Sequence, residues 1–184
     1  MTYLSLARHQ EGVSFDGPAV MAFDLEGETA SFGSGSLPGS CLVWQLTADV
    51  PPDADLSRRI DTSPAENWVM RCDRIDFPPG GVAYAHTHPG PGIRSLLFGE
   101  LTVATGGATR THGPGDPWFE SGPEPVLAVA SSSEPSAFVR VLLLPAEWSG
   151  RRTIRYVNPE DEDRPKLQKA TVYLEVAVEE MPGA

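Results

Sequence analysis

The chain has 184 residues, of which 40% are hydrophobic, and a formal net charge of −11 at pH 7. This hydrophobic content excludes a chain that is disordered throughout, and the acidic excess argues against nucleic acid and anionic membrane surfaces as partners. No segment approaches the ~20 apolar residues of a membrane span, and the first residues lack the apolar core of a signal peptide. We therefore predict a cytoplasmic protein with a single domain over residues 1–184.

The first third of the chain predicts few regular elements. Residues 1–39 are rich in Gly, Ser and short apolar pieces, and we expect an arm with one or two strands there. A strand is predicted over 41–46. The polar stretch 50–66 predicts a long connection with a short helix over 56–60. The two cysteines, Cys41 and Cys72, are expected to be free, buried thiols, because two cysteines make no disulfide framework.

From residue 68 onward, short apolar runs alternate with turn signals. The 18 Gly and 18 Pro residues are spread between these runs, as is typical of a turn-rich β domain. Short strands at close spacing favour an all-β barrel or sandwich. The predicted strands are 68–77, a strand carrying His86 and His88, 93–98, 100–104, 118–119, 126–130, 138–144 and a closing strand over 169–178.

His86 and His88 stand two residues apart, directly before a turn rich in Pro and Gly. Residues i and i+2 of a β-strand point to the same face, so both imidazoles are expected to project into one space. Two histidines placed in this way can share a divalent metal ion, whereas the alternative is a pair of surface histidines. The pattern favours a metal site, and His9 is expected to be structural or exposed.

The segment around these histidines resembles the first motif of the cupin superfamily, and a looser second motif follows. The matched positions are Gly80 or Gly81, His86, His88, Gly99, Glu100, Gly115, Asp116 and Gly122. The resemblance covers about residues 68–145. It implies a double-stranded β-helix, or jelly-roll, barrel with the N-terminal strands as an arm, and it implies a homodimer.

Two positions depart from the cupin pattern. Cupins commonly place a ligand glutamate where this chain has Gly92, and a ligand histidine where it has Pro125. A third metal ligand would then come from Glu120, which we slightly favour, or from His112. Glu120 would complete a two-histidine, one-carboxylate site of the non-haem Fe(II) type, and His112 a three-nitrogen site. The metal is left open between iron, zinc, nickel and manganese.

Arg94 is predicted to lie inside the barrel, because it stands two residues after Gly92 on the same strand face. A buried guanidinium keeps its charge and needs an anion. That anion is either a substrate carboxylate or enolate, or an internal partner, Glu120 or Glu124. We therefore expect a small, anionic organic substrate, with Arg94 and Glu120 as catalytic residues.

The cupin resemblance implies two classes of function. The first is a metal-dependent enzyme, most simply an oxidoreductase of the dioxygenase type, with an isomerase or lyase as the second choice. The alternative is a metal-free cupin that binds or senses a small ligand without changing it.

Overall fold

Three stacked antiparallel sheets account for most of the chain. The structure, a computed structural model, describes residues 1–182, which form seventeen strands and two short 3₁₀ helices, Ala146–Trp148 and Pro159–Glu162. Neither helix has the length and apolar character needed to cross a bilayer, and none other occurs in the described part of the chain.

The N-terminal sheet has five strands in the order β4-β3-β6-β1-β7, and β2 pairs separately with β5. The strands of this part of the chain are β1 (Thr2–His9), β2 (Val13–Phe15), β3 (Val20–Asp24), β4 (Thr29–Phe32), β5 (Gly35–Leu37), β6 (Cys41–Thr47) and β7 (Leu56–Ile60).

Two expectations for this part of the chain are wrong. Residues 1–39, where one or two strands are predicted, contain five, and three of them (β1, β3 and β4) join β6 and β7 in a sheet whose strands β3 and β6 are buried along almost their whole length. The predicted helix over Leu56–Ile60 is the strand β7, which pairs with the free edge of β1. Pairing with that edge satisfies the backbone of the segment, so tertiary context overrides its local preference.

The remaining ten strands form two facing sheets. The middle sheet has the order β13-β10-β15-β8-β17 and the outer sheet the order β12-β11-β14-β9-β16. The strands are β8 (Trp68–Phe77), β9 (Val82–Thr87), β10 (Gly92–Phe98), β11 (Leu101–Thr105), β12 (Ala108–His112), β13 (Pro117–Glu120), β14 (Val126–Ala130), β15 (Ser136–Pro145), β16 (Arg155–Tyr156) and β17 (Lys169–Val178).

The strand order identifies the barrel type. In β8 to β15 the chain crosses repeatedly between the two sheets, giving β8-β15-β10-β13 in one and β9-β14-β11-β12 in the other. This is the order of an eight-stranded jelly roll built from two Greek keys. The jelly-roll barrel that the cupin resemblance implies is therefore confirmed.

The middle sheet is buried on both faces. One face packs against the N-terminal sheet, where Met70 and Val141 join a cluster with Leu6 and Trp44. The Trp44 indole N–H also donates to the carbonyl of Ile93 across this interface, at 3.0 Å. The other face looks into the barrel. Because the middle sheet lies between two other layers, it forms a well-packed wall of the barrel and can hold polar groups in place.

Candidate functional site

A cavity of about 480 Å³ lies between the two sheets of the barrel. Its body is apolar, lined by Ile75, Phe77, Leu101, Val126 and Phe138. Polar and charged side chains gather at one end and at the mouth, which residues 151–156 and 162–172 border. An apolar pocket with a few convergent polar groups is the usual form of a small-molecule site.

His86 and His88 face this cavity together, as their spacing predicts. They are 5% and 3% exposed, and their Nε2 atoms lie 3.2 Å apart. Nδ1 of His86 is 2.7 Å from the carbonyl of Tyr84, and Nδ1 of His88 is 3.2 Å from the carbonyl of Thr153. A carbonyl oxygen only accepts, so each Nδ1 carries the proton. In the neutral rings both Nε2 atoms are therefore bare acceptors.

An arginine–aspartate pair flanks the histidines. The guanidinium of Arg140 binds Asp73 with two hydrogen bonds, of 2.6 and 3.2 Å, and both residues are buried. The Nη1 of Arg140 also lies 3.2 Å from Nε2 of His88, to which it donates. Of the two Nε2 acceptors, that of His86 is the one left without a donor from the described residues.

Glu120 and Arg94 form a second buried pair. Nη2 of Arg94 is 2.5 Å from Oε2 of Glu120, and the Trp118 indole donates to Oε1 of the same carboxylate at 2.9 Å. Arg94 is completely buried, donates to the Gly92 carbonyl at 2.5 Å, and does not line the cavity. The anion that Arg94 needs is thus supplied by Glu120, which is the internal alternative considered from the sequence. The geometry therefore does not favour the predicted contact between Arg94 and a substrate.

Burial controls the protonation of these groups. Desolvation lowers the pKa of His86, and it lowers the pKa of His88 further, helped by the nearby charges of Arg140 and Arg94. Burial also lowers the pKa of Arg94 to about 10, although Glu120 opposes this, so Arg94 is charged at neutral pH. The cluster at neutral pH therefore holds two neutral imidazoles beside two guanidinium–carboxylate pairs.

The donor set does not fit a resident divalent metal ion. Among residues 1–182, no group of three His, Cys, Asp or Glu side chains is arranged to hold one. Oε2 of Glu120 is 3.8 Å from Nε2 of His88, but this carboxylate is engaged by Arg94. Each guanidinium is already balanced by one carboxylate, so a divalent ion would add charge that nothing nearby compensates.

The position of the usual ligand glutamate, Gly92, is filled. A Cβ at Gly92 would lie 2.6 Å from the Val141 carbonyl and 2.9 Å from Nη1 of Arg94. The guanidinium of Arg94 occupies space beside the backbone where a longer side chain would begin. The absence of a glutamate at position 92 therefore goes together with the burial of Arg94.

His112 is not brought to the other two histidines. It lies at the end of β12 and stacks on Trp118, with ring centroids 4.6 Å apart and planes 26° apart. It lines a different cavity, and Trp118 borders both cavities. The three-nitrogen site expected from His86, His88 and His112 does not form.

The sequence analysis missed several residues of the cavity. Arg140 and Asp73 were not singled out, although a charged residue inside an apolar strand signals a buried partner. Tyr156 and Gln168 reach the cavity from the segment after the barrel, and their Oη and Oε1 atoms are buried without a hydrogen-bond partner in the described residues. No local pattern in the sequence marks these two.

No protein-family model and no curated protein sequence matches the chain. A similar solved structure is an RmlC-like cupin from Shewanella frigidimarina, with 20% identity over 42% of this chain and 68% of that one, and a TM-score of 0.39. The polyketide cyclase RemF from Streptomyces resistomycificus has 23% identity over 59% and 77% of the two chains, with a TM-score of 0.41. A variant of salicylate 1,2-dioxygenase from Pseudoaminobacter salicylatoxidans has 9% identity over 94% and 71%, also with a TM-score of 0.41. At these values the likenesses carry no argument about substrate or reaction.

Proposed function

We propose that the barrel cavity binds a small organic molecule with an apolar body and an acidic hydroxyl group, a phenol or an enol, and that His86 accepts its proton. The observation that carries this proposal is the Nε2 atom of His86. His86 lines the cavity, and because its Nδ1 donates to the Tyr84 carbonyl, its Nε2 has no proton of its own. The group facing it, Nε2 of His88, is also an acceptor, so a ligand hydroxyl supplies the donor that the site lacks.

The rest of the lining suits such a ligand. The apolar body of the cavity takes a ring or a short hydrocarbon frame. Five basic side chains line it against three carboxylates, which gives a local positive excess in a chain whose net charge is −11. This excess favours an anionic ligand, and the oxyanion left after proton transfer would lie beside Nη1 of Arg140.

Two buried polar atoms without a hydrogen-bond partner in the described residues offer the ligand further contacts. Tyr156 is the direct cross-strand partner of His86, and its hydroxyl is buried and free to donate. The Oε1 atom of Gln168 is buried and free to accept. We assign these groups to the other polar atoms of the ligand, because buried polar groups in proteins are nearly always paired.

The chemistry supported by this arrangement is proton transfer without a metal. A neutral imidazole accepts a proton from the substrate, and guanidinium and hydroxyl donors stabilise the resulting anion. Keto–enol isomerisation and related lyase reactions fall in this class. If no carbon centre of the ligand reacts, the same site is a binding or sensory site.

The probe for this proposal is para-nitrophenol, whose ionised form is yellow. Burial lowers the pKa of His86, but the phenolate formed by proton transfer would pair with the imidazolium and with Arg140, so the bound probe should ionise at a pH below its own pKa. Para-nitroanisole, which lacks the hydroxyl, should bind more weakly by about tenfold or more. His86→Gln should abolish the yellow form, while His9→Gln, outside the cavity, should not. Binding without ionisation, with equal affinity for His86→Gln, would contradict the assigned role of His86.

A metal-dependent reaction is the second candidate, and one observation favours it. Metal-binding histidines usually donate their second ring nitrogen to a carbonyl or carboxylate, as both His86 and His88 do here. In this case His86 and His88 would supply two ligands, and Glu120 would supply the third only after leaving Arg94. The oxidoreductase of the dioxygenase type, predicted from the cupin resemblance, belongs to this candidate and stays a prediction, as do the homodimer and the cytoplasmic location.

A further inference from the structure

A second cavity, of about 240 Å³, shares Trp118 with the barrel cavity. It lies where β7 of the N-terminal sheet meets β11, β12 and β13 of the barrel. Its walls are mostly apolar, and Trp118 and Phe119 provide its aromatic surface. Nothing in the proposed function uses this cavity.

The ionisable side chains that line the second cavity are all basic. They are Arg58, Arg110 and His112, and no aspartate or glutamate joins them. In the part of the chain that the structure describes, neither arginine has a carboxylate partner. Most other arginines form ion pairs, among them Arg71 and Arg94. Arg58 and Arg110 therefore bring two guanidinium groups without a carboxylate partner to one cavity.

His112 gives an independent indication of a ligand. Its side chain lines the second cavity, is only 8% exposed and stacks on Trp118. Neither ring nitrogen has a hydrogen-bond partner among residues 1–182. Its ring nitrogens are therefore free to bind a ligand oxygen in the cavity.

We propose that the second cavity binds a small organic anion, a carboxylate carried by a short, flat apolar body. Arg58 and Arg110 would bind the carboxylate, because guanidinium groups match its geometry. The flat body would lie on the aromatic surface of Trp118 and Phe119, and an N–H of His112 would donate to a ligand oxygen. This proposal is independent of the reaction assigned to the barrel cavity.

Benzoate is the probe for this site, and calorimetric titration of the full chain measures its affinity. Arg58→Ala and Arg110→Ala should each weaken binding by about tenfold or more, because each removes a charge-assisted contact. Both residues are exposed, so the variants should keep the fold, which their melting temperatures will check. Arg59→Ala is the matched control, since Arg59 is the next residue of β7, also exposed, and lies outside the cavity.

The barrel cavity is tested in the same series, because it could also take up an anion. Arg152, at the mouth of the barrel cavity, should be replaceable by Ala without loss of benzoate affinity, and so should His86 by Gln. If these two changes weaken binding and those at Arg58 and Arg110 do not, benzoate lies in the barrel and the inference is overturned. Equal weakening by Arg59→Ala, or no binding to the wild-type protein at millimolar benzoate, would overturn it as well.

Discussion

Arg94 and Glu120 neutralise each other in the wall of the barrel, and this pairing changes the roles expected for both. Arg94 is fully buried, and Glu120 is held from two sides, by Arg94 and by the Trp118 indole. A carboxylate so engaged has little capacity left for a metal or a substrate. The pair therefore has a structural role in the cavity wall. The groups left to act on a ligand include His86, His88 and Arg140, with Tyr156 and Gln168 as further contacts.

Replacing Glu120 by Gln should destabilise the protein strongly. The change leaves the buried guanidinium of Arg94 without a counter-charge, and breaking a buried ion pair in this way costs about 3–5 kcal/mol of unfolding free energy. Urea unfolding measures the loss, with Glu134→Gln, an exposed carboxylate without an ion pair in the described residues, as the control. Unchanged stability together with a large loss of ligand affinity would instead make Glu120 a substrate-binding residue.

The two thiols should be inert in the folded protein. Burial raises the pKa of Cys72 strongly and also raises that of Cys41, and both are free and buried. Since the thiolate is the reactive form, neither should react with an aromatic disulfide reagent at neutral pH. Both should react in urea. Rapid modification of either thiol before unfolding would show that its surroundings are more open than described.

The residues that could be predicted from the sequence are those whose spacing along a strand fixes the direction of their side chains. His86 and His88 lie on one face because i and i+2 positions of a strand do so. Arg94 was placed inside by the same alternation, although its partner had to be left open between a substrate and a glutamate. Tyr156 reaches the site through pairing of β16 with β9, and Asp73 meets Arg140 through pairing of β8 with β15. Such long-range pairings are not encoded in any local pattern.

Strand β10 lacks the glutamate that cupins commonly use as a metal ligand, and its backbone packs closely against β15. Its first residue, Gly92, faces the carbonyl of Val141 on β15 at a distance that leaves no room for a side chain. The cupin pattern has a glutamate at this position. In this chain β10 lies too close to its neighbour for that residue, and Arg94 fills the adjoining space.

Gly92→Ala should therefore destabilise the barrel. The added methyl group would lie 2.6 Å from the Val141 carbonyl and 2.7 Å from a methyl of Leu142, and overpacking of this kind costs about 1–3 kcal/mol. Gly113→Ala is the control, because its Cβ would meet only a side-chain oxygen of Asp116 at 3.7 Å. Thermal unfolding of both variants gives the comparison. Equal, small effects would mean that β10 can move aside and accept a ligand glutamate.

Most strands of the barrel were predictable, whereas in the N-terminal sheet β6, predicted over 41–46, was the clearest prediction. The predictions for 68–77, 126–130 and 169–178 agree with β8, β14 and β17, because Gly and Pro turns bound these runs. The strands β2, β4 and β5 have only three or four residues, and β7 carries exposed arginines that give no apolar signal. Their order depends on packing against the middle sheet, which the local sequence does not reveal.

The middle sheet packs against the N-terminal sheet through one buried cluster and against the outer sheet through another, and this should make the chain unfold as a unit. Residues of the N-terminal sheet, such as Leu4 and Phe23, belong to the same buried cluster as Met70 and Val139 of the middle sheet. Separation of the layers would expose both of these apolar faces. We expect one calorimetric transition whose van't Hoff and calorimetric enthalpies agree, as for a single domain over residues 1–184. Two resolved transitions would contradict this.

Metal analysis of protein purified without an affinity tag tests the central claim most directly. The account holds that two arginine–carboxylate pairs balance the charge beside the two histidines, so that His86 and His88 act as neutral imidazoles without a metal. After incubation with iron, zinc, nickel and manganese salts and desalting, it predicts far less than one metal ion per chain. Near-stoichiometric metal that is lost in the His86→Ala, His88→Ala double variant would contradict it.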